Sequence, residues 1–162
     1  MEIRQEVCRK LAEAGVPYTL TEHPAVFTIE EMDRLGITLD GEVCKNLFLR
    51  DYKGKRHFLV VLRHDKRADL AALRRQLGST PLSFASEERL ARYLGLTKGA
   101  VSPLGVFNDR DHAVTVAFDR DLEGCGKVGV HPNENTATVW LSFGDLLRVV
   151  ESCGNPVTFV DV

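Results

Sequence analysis

Apolar positions change period several times along the chain, and each change marks an element. Ile3, Val7 and Leu11 recur at helical spacing until Gly15, which predicts an amphipathic helix over residues 3–14 closed by a glycine. Residues 17–21 alternate as a strand does. Thr28-Ile29-Glu30-Glu31 has the form of a capping box opening a short helix that ends at Gly36. Two extended runs, 43–50 and 57–62, are joined through Tyr52-Lys53-Gly54-Lys55 and predict a hairpin. Residues 69–77 and 86–94 carry leucines at helical spacing and stop at Gly78 and Gly95. Residues 98–105 have neither period and read as a loop. Three further strands are expected over 113–118, 126–130 and 136–141, the last two parted by the turn-forming Pro132-Asn133-Glu134-Asn135. Ser142 caps a helix reaching about Cys153, and 157–160 closes the chain as a strand. Strands and helices interleave without a repeat. The expectation is one α/β domain, residues 1–162, built on a mixed sheet.

Lys45 interrupts this pattern. It lies within Val43-Cys44-Lys45-Asn46-Leu47-Phe48-Leu49, where every other sign points to a half-buried strand. Withdrawing an unpaired ammonium from water costs several kcal/mol, so such a residue snorkels, pairs with a carboxylate, or faces a cleft where an anionic or carbonyl ligand arrives.

Composition narrows the field. With 162 residues and 44% hydrophobic content the chain is long enough for one real core. Its four cysteines, Cys8, Cys44, Cys125 and Cys153, form no CxxC pair and share no ligand spacing with the five histidines, which argues against a metal centre or a disulfide scaffold. The N-terminal residues lack an apolar signal core and no stretch has the length of a membrane span, so a reducing cytoplasm is expected. Net charge is only −2, but it is segregated. Between Lys45 and Arg67 eight basic residues face two acidic ones, a net +6 that leaves −8 for the rest. Lys45, Arg50, Lys53, Lys55, Arg56, Arg63, Lys66 and Arg67 form either a solvated hairpin protected against edge pairing or a surface for phosphates.

Three irregular segments have the means to carry chemistry if the fold brings them to one cleft: Cys44-Lys45-Asn46, residues 99–105, and His131-Pro132-Asn133-Glu134-Asn135. A glycine-rich turn exposes backbone N–H groups that suit a carbonyl oxygen or a phosphate, although an ordinary loop has the same composition. No P-loop or GxGxxG spacing is present, so nucleotide-triphosphate and dinucleotide chemistry lose support. Cys44 and His131 would make a nucleophile and base, but neighbours on a strand point to opposite faces. If Lys45 faces the cleft, Cys44 faces away as a structural thiol.

Taken in order, Lys45-Asn46-Leu47-Phe48-Leu49, Asp65-Lys66-Arg67, Phe84-Ala85-Ser86, Gly99-Ala100-Val101-Ser102-Pro103-Leu104-Gly105 and His131-Pro132-Asn133-Glu134-Asn135-Thr136-Ala137-Thr138 resemble the YbaK/prolyl-tRNA synthetase-associated editing domains. The likeness is greatest to their free-standing ProX branch, and it runs over most of the chain. It implies a mixed, strongly curved, barrel-like sheet surrounded by helices, no cofactor, and hydrolysis of the ester that joins a wrong amino acid to the 3′ end of a tRNA. For that branch the implied substrate is alanine mischarged on proline tRNA. Another mischarged residue such as cysteine, serine or threonine, a non-catalytic tRNA- or synthetase-binding module, and a thiol hydrolase are the alternatives. The family's essential lysine falls on Lys45 and its glycine-proline loop on Gly99, Ala100, Ser102, Pro103 and Gly105. Asn46, His131, Pro132 and Asn135 become pocket residues, and the basic tract from Arg50 to Arg67 becomes the tRNA surface. Prolyl-tRNA synthetase is a possible second partner. One departure stands out: the family often carries an asparagine and an aromatic residue ahead of His-Pro, where this chain has Gly129 and Val130.

Overall fold

The computed structural model describes residues 2–162. Helix α1 (Ile3–Glu13) begins at a reciprocal capping box between Glu2 and Gln5 and buries Val7 and Leu11. Strand β1 (Thr19–Glu22) leads to α2 (Ile29–Arg34), where the Thr28 hydroxyl accepts from the Glu31 N–H as the capping pattern predicts. The hairpin is β2 (Glu42–Arg50) and β3 (His57–Arg63), and α3 (Leu70–Leu77), β4 (Ser83–Phe84) and α4 (Glu87–Leu94) follow. Asp69 and Ser86 cap the two helices, and each ends on a glycine with left-handed backbone, Gly78 and Gly95. The C-terminal part comprises β5 (Val114–Asp119), β6 (Lys127–Val130), β7 (Ala137–Ser142), α5 (Phe143–Ser152) and β8 (Val157–Val160).

The strands form one mixed sheet in the order β1-β7-β6-β2-β3-β5-β8, with β4 paired to β2 off this path. β2 runs antiparallel to β3 and β4 but parallel to β6, while β3, β5 and β8 are mutually parallel neighbours. β3 lies at the centre and is apolar from Phe58 to Leu62, because helices cover both of its faces. On one face Cys44, Phe48, Leu59, Val61 and Phe118 pack against leucines of α1, α4 and α5. On the other, Phe58, Val60 and Leu62 meet Leu73 of α3. A third cluster joins Met32 of α2 to Val43 and Trp140. Among the described residues no helix is long and apolar enough to cross a membrane.

The mixed sheet flanked by helices is as expected, and its pairings run as a path from β1 to β8. One expectation is corrected. The stretch expected to be loop ends inside a helical turn: Pro103–Asn108 forms a 3-10 helix capped by the Ser102 hydroxyl, which accepts from the Leu104 N–H at 3.1 Å. Its residues have no helical period because the turn is held by its cap and by burial of Leu104 and Val106.

Candidate active site

β2 is only partly covered along the edge away from β3. β6 pairs with Glu42 and Val43, and β4 pairs with Leu49 and Arg50. Between them the edge is open. The Asp51 N–H donates to Arg56 O at 3.0 Å across the hairpin, while Phe48 O accepts from the Ala85 N–H at 2.9 Å on the opposite side. Alternation along the strand then turns the main-chain groups of Cys44 and Asn46 into this window. The window opens on a cavity of about 420 Å³ lined by Lys45, Asn46, Leu47, Gly99, Val101 and His131. Residues of all three irregular segments therefore meet at one place, closed on the far side by Phe27, Thr28 and Met32 at α2.

Lys45 is half-buried, and its Nζ donates to Lys66 O at 3.3 Å. Among the described residues no carboxylate oxygen lies within 4.0 Å of it, because the nearby acids are taken by other cations. Lys66 Nζ holds Asp119 at 2.9 Å and Asp121 at 2.6 Å, and Arg63 Nε lies 2.9 Å from Glu42. The Lys45 charge is left to the cavity. Asn46 donates from Nδ2 to Val101 O at 3.2 Å, which ties strand to loop, and its Oδ1 is buried with no partner. An acceptor so placed is costly unless a ligand donor meets it.

In the loop, Gly99 and Val101 form the wall. Gly99 has φ +91°, and a Cβ there would stand 2.6 Å from the Phe27 ring. Ala100 and Ser102 are turned inward, 3% and 0% exposed, and the Ala100 N–H is already donated to Thr97 O at 3.0 Å. Pro103 and Gly105 are buried beneath, and a Cβ on Gly105 would meet Leu96 at 2.7 Å. These four residues shape the loop without lining the cavity.

His131 Nδ1 donates to Ala137 O at 3.0 Å, since a carbonyl can only accept, and this leaves Nε2 as the acceptor of a neutral ring. Burial, reinforced by the neighbouring His23, holds its pKa below the usual histidine range against the opposing pull of the Ala137 hydrogen bond. Pro132 is buried under it. Asn133, with φ 62°, donates to Leu104 O at 3.2 Å, and Asn135 Nδ2 donates to Val26 O at 3.0 Å. Asn135 thus braces the turn and does not line the cavity. Gly129 and Val130 also stand outside it: Val130 is core, and a Cβ on Gly129 would fall 2.6 Å from the Trp140 indole.

Cys44 is 5% exposed among apolar side chains, and burial pushes its thiol pKa far up, the reverse of what a nucleophile needs. The sequence gives no sign of His64 or the Phe27–Met32 wall, and it places Val101 in the 99–105 segment without a role of its own. His64 lies at the cavity with Nδ1 hydrogen-bonded to Glu42, and nothing in its local sequence separates it from the basic tract. Glu42, His64 and Asp65 bring ligand atoms within 4.8 Å of one another, but the Arg63 guanidinium, 2.9 Å from Glu42 and 3.5 Å from Asp65, occupies the position of a cation.

The basic tract splits in two. Lys53, Lys55 and Arg56 surround the hairpin turn, where Arg50 donates to the carbonyls of Asp51 and Tyr52 and Arg56 to those of Leu77 and Gly78. Arg63, Lys66 and Arg67 lie at the other end of β3, beside Lys45. Arg63 and Lys66 are ion-paired; Lys53, Lys55 and Arg67 are exposed.

The model of the aminoacyl-tRNA editing domain family matches residues 23–149. A curated relative, the prolyl-tRNA editing protein ProX of Acetoanaerobium sticklandii, is 51% identical over 162 residues, covering 100% of this chain and 99% of its own. The prolyl-tRNA synthetase associated domain-containing protein 1 of Danio rerio is 40% identical over 153 residues, 93% of this chain and 83% of that protein. A crystal structure assigned as a candidate trans-editing enzyme for prolyl-tRNA synthetase superposes with a TM-score of 0.76 at 23% identity, covering 99% of this chain and 96% of that one. On sequence and fold alike, the chain belongs to the aminoacyl-tRNA editing domain family.

Proposed function

We propose that residues 1–162 work as one trans-editing hydrolase that cleaves the ester of mischarged proline tRNA, with alanyl-tRNA(Pro) as the preferred substrate. The observation that carries this reading is the cavity itself, where a cation without a carboxylate partner, an unpartnered amide oxygen and a glycine-opened wall converge. A synthetase site built for proline cannot strongly reject alanine, because each missing methylene is worth only about 1–3 kcal/mol, so a second site must remove the error. An aminoacyl ester is already activated and requires no covalent nucleophile. It requires a placed water, positive potential at the developing oxyanion, and a pocket that selects the side chain.

Lys45 supplies the potential, to the carbonyl oxygen or to the terminal phosphate. Asn46 Oδ1 accepts from the substrate α-ammonium. The Gly99–Val101 wall and His131 orient the ester, and a ribose hydroxyl of the tRNA helps to activate the water. Water adds to the carbonyl carbon, and the ribose oxygen leaves with a proton, giving free alanine and intact tRNA. Incubating the pure protein with tRNAs charged with alanine, cysteine, serine, threonine or proline tests this. Loss of alanine alone supports the reading, loss of another residue reassigns the specificity, and tight binding without ester loss makes the protein a binding module.

The surface cations give a separate expectation. Binding of aminoacyl-tRNA should weaken as salt rises, and Lys53→Ala, Lys55→Ala and Arg67→Ala should each lower the slope of log affinity against log salt by about 0.7–0.9 per lost phosphate contact. Unchanged slopes in all three would move the tRNA surface elsewhere.

A further inference from the structure

Behind the wall made by Asn46, Leu47 and Val101 lies a second cavity, also of about 420 Å³. Its far side is apolar, with Phe48, Phe84 and Leu90, and its mouth carries Ser86, Glu87 and Lys98. Phe84 is the unusual member. It is 62% exposed, yet its backbone is pinned in the two-residue strand β4, opposite Leu49, with the next N–H donated to Phe48 O. Among the described residues no aromatic ring packs on it and no cation lies over it. An exposed ring on a hydrogen-bonded backbone, at the edge of a cavity that shares a wall with the ester site, offers a stacking platform.

We propose that this second cavity holds the terminal adenine of the tRNA, stacked on Phe84, while the attached ribose crosses the Asn46–Val101 wall and delivers the ester to Lys45. The inference rests on the reading of the protein as an aminoacyl-tRNA hydrolase. Connectivity supports it first, because base and aminoacyl ester hang from one ribose and must occupy adjoining compartments. Chemistry supports it next. Every tRNA ends in the same adenosine, so a preformed subsite meets a constant partner, and a flat base gains most from an exposed ring and an apolar floor. Charge disfavours a phosphate on the α4 side of the cavity, where Glu87 lines the wall and Glu88 follows it in the first turn of the helix. Lys98, on the other rim, is the group left for the adjoining phosphodiester.

The test compares wild type, Phe84→Ala and Phe84→Trp on alanyl-tRNA. Phe84→Ala should raise KM by about 5- to 160-fold, the range for stacking one base, and leave kcat within about twofold. Phe84→Trp should restore KM, which a merely structural role for the ring would not allow. The ring is exposed, so both variants should fold. A second measurement is independent of hydrolysis: adenosine monophosphate titrated into the protein should shift amide resonances around Phe84, Leu90 and Lys98 in wild type but not in Phe84→Ala. Wild-type KM in Phe84→Ala, or nucleotide binding indifferent to that substitution, would overturn the subsite while leaving the hydrolase intact. If wild type hydrolyses no aminoacyl-tRNA, the functional reading falls, and the nucleotide titration alone decides the adenine site.

Discussion

Lys45→Ala is expected to lower kcat for alanyl-tRNA hydrolysis by about 10²- to 10³-fold, the usual loss when one preorganised partner of a developing oxyanion is removed. The fold should barely respond. Lys45 is half-buried at a cavity and gives up one 3.3 Å hydrogen bond to Lys66 O, so the melting temperature should stay within about 3 °C of wild type. Tight coupling of the two losses would indicate a structural lysine. Lys45→Arg should not rescue, because a planar guanidinium carries its charge in a different place from the compact ammonium. Binding of tRNA measured separately distinguishes the two roles open to this cation: a carbonyl partner lowers kcat with affinity unchanged, whereas a phosphate partner also weakens binding. Wild-type turnover in Lys45→Ala would remove the basis of the proposed mechanism.

The lysine was visible in the sequence because a charge breaks the otherwise apolar period of β2, whereas Cys44, which alternation turns away from the cleft, is buried in the core and also borders the cavity. Helix limits were legible wherever a side chain caps one end and a glycine the other, as at Asp69 and Gly78 or Ser86 and Gly95. What stayed hidden depends on contacts distant in sequence. β4 is two residues whose strand character comes entirely from pairing with Leu49 and Arg50. Ser102 and Ala100 lie in the glycine-rich segment, but only the packed 3-10 turn shows that their side chains point inward and that Gly99 and Val101 make the wall. His64 and Phe27 reach the cavity because β3 and the residues before α2 converge there, and neither has a local signal. Charge was legible as a total and misleading as a map. Eight cations between Lys45 and Arg67 read as a patch, yet Arg63 is matched to Glu42 at the start of β2 and Lys66 to Asp119 at the end of β5.

Asp119→Ala should be the most damaging substitution outside the cavity. The carboxylate is 1% exposed at the end of β5 and accepts from Lys66 Nζ at 2.9 Å, Asp121 N–H at 3.0 Å and Arg63 N–H at 3.2 Å. Its removal leaves two main-chain donors and part of an ammonium charge without their acceptor, a loss of about 3 kcal/mol, or roughly 6–12 °C in melting temperature for a chain of this length. The damage should reach the site, because the turn that Asp119 holds also carries Lys66 O, the acceptor of Lys45. A fall in kcat of about tenfold below the melting transition is therefore expected, and an unchanged kcat would show that Lys45 is placed without that turn. Asp119→Asn keeps one acceptor oxygen but loses the charge and turns the other oxygen into a donor, so it should be milder than Asp119→Ala while still weakening both measures. The same geometry gives Lys66 a different role from its neighbours. If it braces this turn, Lys66→Met should lower stability and leave the salt dependence of tRNA binding alone. If it contacts phosphate, the slope should fall as it does for Arg67→Ala. Two aspartates within 2.9 Å already satisfy the ammonium, so releasing it to a phosphate would strand the buried one, and the expected outcome is the brace.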